Sequence, residues 1–189
     1  MRKLLNILVI FMPWSLKRFL LVKFYGYELH PRAHIGLSYV FPKHLVMEEG
    51  AHIGSLNVVI HLDYMRMGRN ASVARSNWIT GFPTGTNSPH FAWQKDRKSE
   101  LSIGAESAIT KNHHIDCTNS VKIGDYVTIA GYASQFLTHS IDVYEGRQGS
   151  KPIEIGDYCF VSTRVTVLGG GEVTLTFRAC CGSSFTKVF

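Results

Sequence analysis

The sequence predicts an all-β solenoid, in which short strands and turns wind into stacked coils around one continuous core. Three observations carry this expectation. Apolar residues recur every six positions, many are followed at once by glycine, and the period survives two long interruptions. Repeats of this kind decide the fold before any single segment does.

The period runs through Ile35, Phe41, Met47, Ile53 and Val59, and resumes after a two-residue slip at Met67, Val73 and Ile79. It starts again at Ile103, Ile109, Ile115 and Val121, slips by two to Ile123 and Ile129, and returns at Ile155, Val161, Val167 and Val173. Glycine follows in Ile35-Gly36, Ile53-Gly54, Met67-Gly68, Ile103-Gly104, Ile123-Gly124 and Ile155-Gly156. A residue without a Cβ permits close backbone approach at a corner. A period of six cannot keep one face of a 3.6-residue helix apolar, and the β-branched content favours short strands. Each unit buries one inward side chain, so stability must come from stacking coils. Ile35-Gly36 and Ile53-Gly54 lie three repeats apart, which fits a coil of triangular section. An antiparallel β-domain with evenly spaced strands is the alternative, and the persistence of the period speaks against it.

Along the chain, residues 1–30 read as a short N-terminal helical segment. Arg2 and Lys3 before LLNILVIFMPW imitate a signal peptide, but no small-residue cleavage site follows. Pro13, Lys17 and Arg18 interrupt the apolar stretch well short of the roughly 20 residues a spanning helix needs. SLKRFLLVKFYG suits a helix packed on the main domain or one at a membrane surface, and packing is preferred because end caps are common in repeat folds. Residues 31–189 form the solenoid. One excursion leaves it at Phe82 to Glu100 and another at about Ser140 to Pro152, and such segments are usually functional. The first carries Phe82, His90, Phe91, Trp93, Gln94, Lys95 and Arg97, suited to sugar or nucleotide contact, or to a neighbouring subunit. From about residue 172 the pattern is atypical: Thr174 to Cys180 lose the repeat and GSSFTK regains it, through a divergent cap or a frame disturbance in the coding sequence.

With 189 residues, 45% hydrophobic and 18% charged, the chain suits one folded domain. A net charge of +6 favours anionic partners, but the basic residues are scattered and no nucleic-acid motif accompanies them, so no nucleic-acid partner is expected. Cys117, Cys159, Cys180 and Cys181 show neither CxxC spacing nor a secreted framework, so a reduced compartment is the simpler reading and no metal is expected. His30 and His34 read as surface groups in this β-rich context.

The repeats, followed by THSID and then IGDYCFVSTRVTVLGGG, resemble the hexapeptide-repeat acyltransferases over residues 33 to 171, a family that includes maltose, galactoside, serine and polysaccharide O-acetyltransferases. The stretch HHIDCTNSVKIGDYVTIAGYASQFLTHSID is most similar to members tied to cell-surface polysaccharide synthesis. The resemblance implies a left-handed parallel β-helix, acetyl-CoA as acyl donor, a sugar or glycan hydroxyl as acceptor, and a cytoplasmic location. The family holds coenzyme A between adjacent subunits, which implies a homotrimer. By the same resemblance His139 of the TH motif is the catalytic base and Asp116 orients it and the acceptor, with Asn112 as the nearest match to a sugar-binding Asn. The further acceptor-site candidates are His113, His114 and Trp93. Those for the cofactor are Thr163, Arg164 and Lys187, the last because SSFTK resembles the SxxxK of a late family coil.

The chemistry agrees with the residue types. A sugar hydroxyl is a weak nucleophile at neutral pH and gains from a base of near-neutral pKa, which histidine supplies. A carboxylate such as Asp116 can fix the imidazole tautomer, and backbone N–H groups can receive the oxyanion. Two alternatives stay open: a non-catalytic trimeric assembly protein, and a γ-carbonic-anhydrase-like zinc enzyme on the same fold. That family's paired histidines five apart are not found near the matching coil.

Overall fold

A computed structural model describes residues 2–143, 146–173 and 184–185. Outside one hairpin, the chain deals its short strands in rotation to three parallel sheets, so that each strand of these sheets pairs with a strand one turn away and not with its neighbour in sequence. The first sheet comprises Glu28–Leu29, His44–Met47, Tyr64–Met67, Glu100–Ile103, Val121–Ile123, Ile153–Ile155 and Glu172–Val173. The second comprises His34–Ile35, His52–Ile53, Ser72–Arg75, Ala108–Lys111, Thr128–Ile129 and Phe160–Val161. The third comprises Tyr39–Phe41, Val58–Ile60, Trp78–Gly81, His114–Cys117, Gln135–Leu137, Thr166–Leu168 and Ser184–Phe185. This arrangement is consistent with a solenoid, in which stacking buries the apolar side chain that each short unit cannot bury alone.

The register corrects two details of the periodic reading. Leu45, Met65, Leu101, Val121 and Ile153 form one inward row of the first sheet, and Met47, Met67, Ile103, Ile123 and Ile155 form another. What looks like a two-residue slip is the alternation of a strand that presents two inward residues from one face. In the third sheet Val40, not Phe41, lies in register with Val59, Ile79, Ile115, Phe136 and Val167. The corner before it is shorter than the period requires, and Phe41 turns outward against Tyr25 and Tyr39. Glycine at the corners has a steric cause. A Cβ at Gly36 would lie 2.7 Å from the Gly54 carbonyl oxygen of the next coil.

Two helices cover the start of the stack, where sequence suggests one: α1 (Arg2–Ile10) and α2 (Trp14–Tyr25). Pro13, with no N–H to donate, separates them, and Gly26 in the left-handed conformation ends α2. The helical segment therefore stops short of residue 30, and Glu28–Leu29 already pairs with Val46 and Met47. Val9 and Leu21 reach the core. Among the described residues no helix is long and apolar enough to cross a membrane.

Both excursions leave from the end of the third sheet. The first occupies the gap between Gly81 and Glu100. The second contains an antiparallel hairpin, His139–Asp142 with Arg147–Ser150, so His139 opens the excursion instead of closing a coil. At the far end Glu172–Val173 pairs with Glu154 and Ile155, and Ser184–Phe185 pairs with Thr166 and Val167, so the chain rejoins the third sheet within GSSFTK. Cys117 and Cys159 are buried, whereas Cys180, Cys181 and Lys187 lie outside the described residues.

Candidate functional site

The outward positions at the end of the third sheet form the row Phe41, Ile60, Thr80, Asp116, Leu137 and Leu168. Asp116 is its one ionisable member, and the excursions bury it to 4% exposure. Burying a carboxylate without partners costs several kcal/mol, which demands dense hydrogen bonding. Oδ1 accepts from the Thr118 hydroxyl at 2.7 Å and the Thr118 N–H at 3.1 Å. Oδ2 accepts from the Thr138 hydroxyl at 2.7 Å and N–H at 3.0 Å, and from the His139 N–H at 3.2 Å.

The remaining partner of Oδ2 is His139 Nδ1, at 2.7 Å. Burial pushes Asp116 up, but hydrogen bonds from His139, Thr118 and Thr138, with the attraction of the imidazolium, outweigh it and bring its pKa down to about 2. The hydrogen bond to Asp116 raises His139, partly offset by burial and reinforced by the carboxylate charge. A carboxylate on Nδ1 selects the tautomer that carries its proton there, which leaves Nε2 as the basic nitrogen. The His139 side chain remains 43% exposed.

His139 lines a cavity of about 650 Å³ between the two excursions. Trp93 Nε1 donates to the Gln148 carbonyl at 3.0 Å, and the Arg147 guanidinium stands 4.1 Å from the Trp93 ring centre. Gln94 pairs with Ser150 much as a strand would, donating to its carbonyl at 2.8 Å and accepting its N–H at 2.9 Å. Behind the cavity, Phe91 meets the His139 ring edge-on at 6.2 Å. Arg97 lies between Phe82 and Phe91 and donates to the carbonyls of Phe82 and Thr118. Arg147 and Lys151 give the lining a cationic side, with Asp142 also present.

The structure thus gathers His139, Asp116 and Trp93, and it does not bring the other acceptor candidates to this cavity. Asn112 occupies a left-handed corner with φ of 55° and its carbonyl accepts the Ala133 N–H at 2.9 Å. His114 is exposed at the opposite end of the strand from Cys117. His113 is buried in a polar ladder before the third sheet, formed by Ser38, Asn57, Asn77, His113 and Ser134. There Asn57 N–H donates to the Ser38 hydroxyl, Asn77 N–H to Asn57 Oδ1, His113 N–H to Asn77 Oδ1 and Ser134 N–H to His113 Nδ1. Its Nε2 bonds to the Thr110 hydroxyl at 3.0 Å, and burial pushes its pKa down to about 4.

The cofactor candidates stand apart as well. Thr163 donates its hydroxyl to the Tyr132 carbonyl at 2.8 Å, and the Arg164 guanidinium stands 5.5 Å from the Tyr132 ring centre, at an outer corner of the coil. His34 also departs from the reading as a surface group, stacking on His52 at 5.2 Å with Trp14 beside it at 4.9 Å. Sequence reasoning missed Thr118, Thr138 and Ser150 as parts of the site, and it named Phe91 and Arg97 only among the residues of the first excursion. The signal for the threonines was their place within two residues of Asp116 and beside His139. Among the described residues no three His, Cys, Asp or Glu side chains converge as metal ligands would. No protein-family model and no curated protein matches the chain.

Proposed function

We propose that the protein is an O-acyltransferase of the left-handed hexapeptide-repeat type, transferring an acetyl or similar group from acyl-coenzyme A to a hydroxyl of a sugar or glycan precursor in the cytoplasm. The observation that carries this reading is the 2.7 Å Asp116–His139 pair at the wall of the cavity between the excursions. An ionised carboxylate on Nδ1, a second ring nitrogen of raised basicity and room for a substrate are what hydroxyl activation requires.

In the proposed step Nε2 of His139 takes the proton from the acceptor hydroxyl as its oxygen attacks the thioester carbon. Asp116 stabilises the imidazolium that forms, as an orienting carboxylate does in hydrolytic triads. The tetrahedral intermediate collapses with loss of the coenzyme A thiolate, which receives the proton from His139 and leaves as the thiol. No acyl-enzyme is needed. Backbone N–H groups near the cavity would hold the oxyanion. Arg147 and Lys151 suit the phosphates of the donor, and Trp93 offers a sugar an aromatic face. Thr163 and Arg164 remain donor-site candidates in a homotrimer, where a second copy would have to bring them to this cavity, and Lys187 remains a candidate outside the described residues.

The test is thiol release from acetyl-CoA by the purified chain with a panel of sugars and glycan precursors, compared with His139→Ala. Acceptor-dependent release that drops roughly 10²-fold or more in the variant supports the reading. Release that is absent with every acceptor, or equal in the variant, sinks it.

A further inference from the structure

The inward face of the N-terminal helices carries polar and cationic groups among the apolar ones, and this feature has no part in acyl transfer. On most surface helices the apolar stripe faces the core and the charges face water. Here the inward face holds Asn6, Lys17 and Arg18 beside Val9 and Leu21. Lys17 Nζ donates to the Gly36 carbonyl at 2.7 Å, Arg18 donates to the Leu29 carbonyl at 2.9 Å, and Asn6 bonds to the hydroxyls of Tyr25 and Tyr39. The cause lies in the solenoid. Gly36 and Leu29 belong to the first coil, which has no coil before it to satisfy its edge carbonyls, so the cap must bring donors.

The outer faces carry the complement. Leu5, Leu8 and Phe11 on and just after α1, and Leu16, Phe19 and Val22 on α2, follow i, i+3, i+6 spacing and are 40% to 73% exposed. Lys23 stands among them, its ammonium 5.4 Å from the Phe19 ring centre. The segment from Met1 to Tyr27 contains no Asp or Glu and five Lys or Arg residues, Arg2, Lys3, Lys17, Arg18 and Lys23. With Lys17 and Arg18 committed to the inward face, two outer apolar stripes with Lys23 among them and no acidic residue in the segment fit the polar–apolar boundary of an anionic bilayer. A helix of 12 residues is about 18 Å long, too short to span and suited to lying in the interface.

We propose that the outer face of the α1–α2 cap seats on a membrane surface containing anionic phospholipid. The solenoid then stands with its first coil towards the bilayer. The third-sheet strands from Tyr39–Phe41 to Gln135–Leu137 span four inter-strand steps, which holds the His139 end of the cavity roughly 20 Å above the cap. That height suits an acceptor carried on a lipid headgroup, although the docking itself is independent of the acyl-transfer reading.

The experiment is sedimentation of the full chain with phosphatidylcholine–phosphatidylglycerol vesicles and with pure phosphatidylcholine vesicles, alongside a measurement of particle mass without lipid. The expected result is binding to the anionic vesicles that weakens with added salt. The double variant Leu8→Glu, Phe19→Glu should lose roughly 100-fold or more in affinity with its particle mass and circular dichroism unchanged. Lys23→Glu should lose about tenfold. The proposal is overturned if the native chain stays in the supernatant, if the double variant still sediments as the native chain does, or if that variant changes the particle mass, which would make the face a contact between copies.

Discussion

His113 and His139 lie one coil apart at opposite ends of the third sheet, and their surroundings drive them in opposite directions. His113 sits inside the coil, with its ring nitrogens bonded to Ser134 N–H and the Thr110 hydroxyl and no carboxylate near enough to favour its cation. Burial alone moves it, down to about 4. His139 sits where the chain leaves the coil, with one nitrogen on an ionised carboxylate and a side chain open to the cavity. A regular coil makes histidine a neutral rung. An interruption sets it on a carboxylate that raises its basicity.

Asp116→Asn should break this contrast most strongly, because it removes the charge that sets His139 apart and turns an amide towards donors on every side. Acceptor-dependent turnover should fall by on the order of 10²–10⁴-fold. The acid limb of the rate profile, where the base loses its proton, should move to lower pH, since the carboxylate is what raises His139. A pH–rate profile unchanged in position would show that Asp116 does not set the base. His139→Ala should cost roughly 10²-fold or more in rate but change stability by only about 0.5 kcal/mol in chemical denaturation, because the side chain is part-exposed.

His113→Ala should reverse that signature. It strands the Ser134 N–H and opens a gap in the ladder, costing about 1–3 kcal/mol of stability, while turnover of the folded fraction stays within a few-fold. pH separates the two as well. His113 is depressed on folding, so its neutral form supports the fold fully above pH 6.5, and that support is lost as the pH falls towards about 4, on the order of 3 kcal/mol. His139 is raised, so its contribution is present below pH 6.5 and lost as the pH rises through its folded value. Urea melts of the native chain and His113→Ala between pH 4 and 7 should diverge at the alkaline end and converge towards the acid end. The smallest effect belongs to Asn112→Gly. A left-handed corner accepts glycine, so stability and turnover should both stay near native values, and a tenfold loss of rate would restore Asn112 to the site.

Much of the fold was legible because stacking writes itself into sequence as a period. Ile53, Val73, Ile109, Ile129 and Val161 are all where the count of six puts them, and all are buried. The two inward residues per strand in the first sheet were hidden because alternation within a strand and slippage between strands leave the same trace. His139, Asp116 and Trp93 could be singled out from the interruptions and the family pattern. His113 could not be assigned to the ladder, since it takes the place in space of Asn57 and Asn77 without sharing their side-chain type. The pairing of Trp93 with Gln148 and of Gln94 with Ser150 joins two insertions that belong to no repeat, so no periodicity announces it.

That pairing has an evolutionary consequence. In a linear array, stability is close to a sum of neighbouring interfaces, and a segment that bulges from one junction leaves the others untouched. Here the walls of the cavity come from two such bulges that brace each other through Gln94 and Ser150. Selection could lengthen, shorten or recolour either wall while the Ile, Val and Met rows beneath stayed constant. Variation in acceptor preference should therefore accumulate in paired changes across residues 82–99 and 139–152, with the coils inherited almost as a fixed chassis.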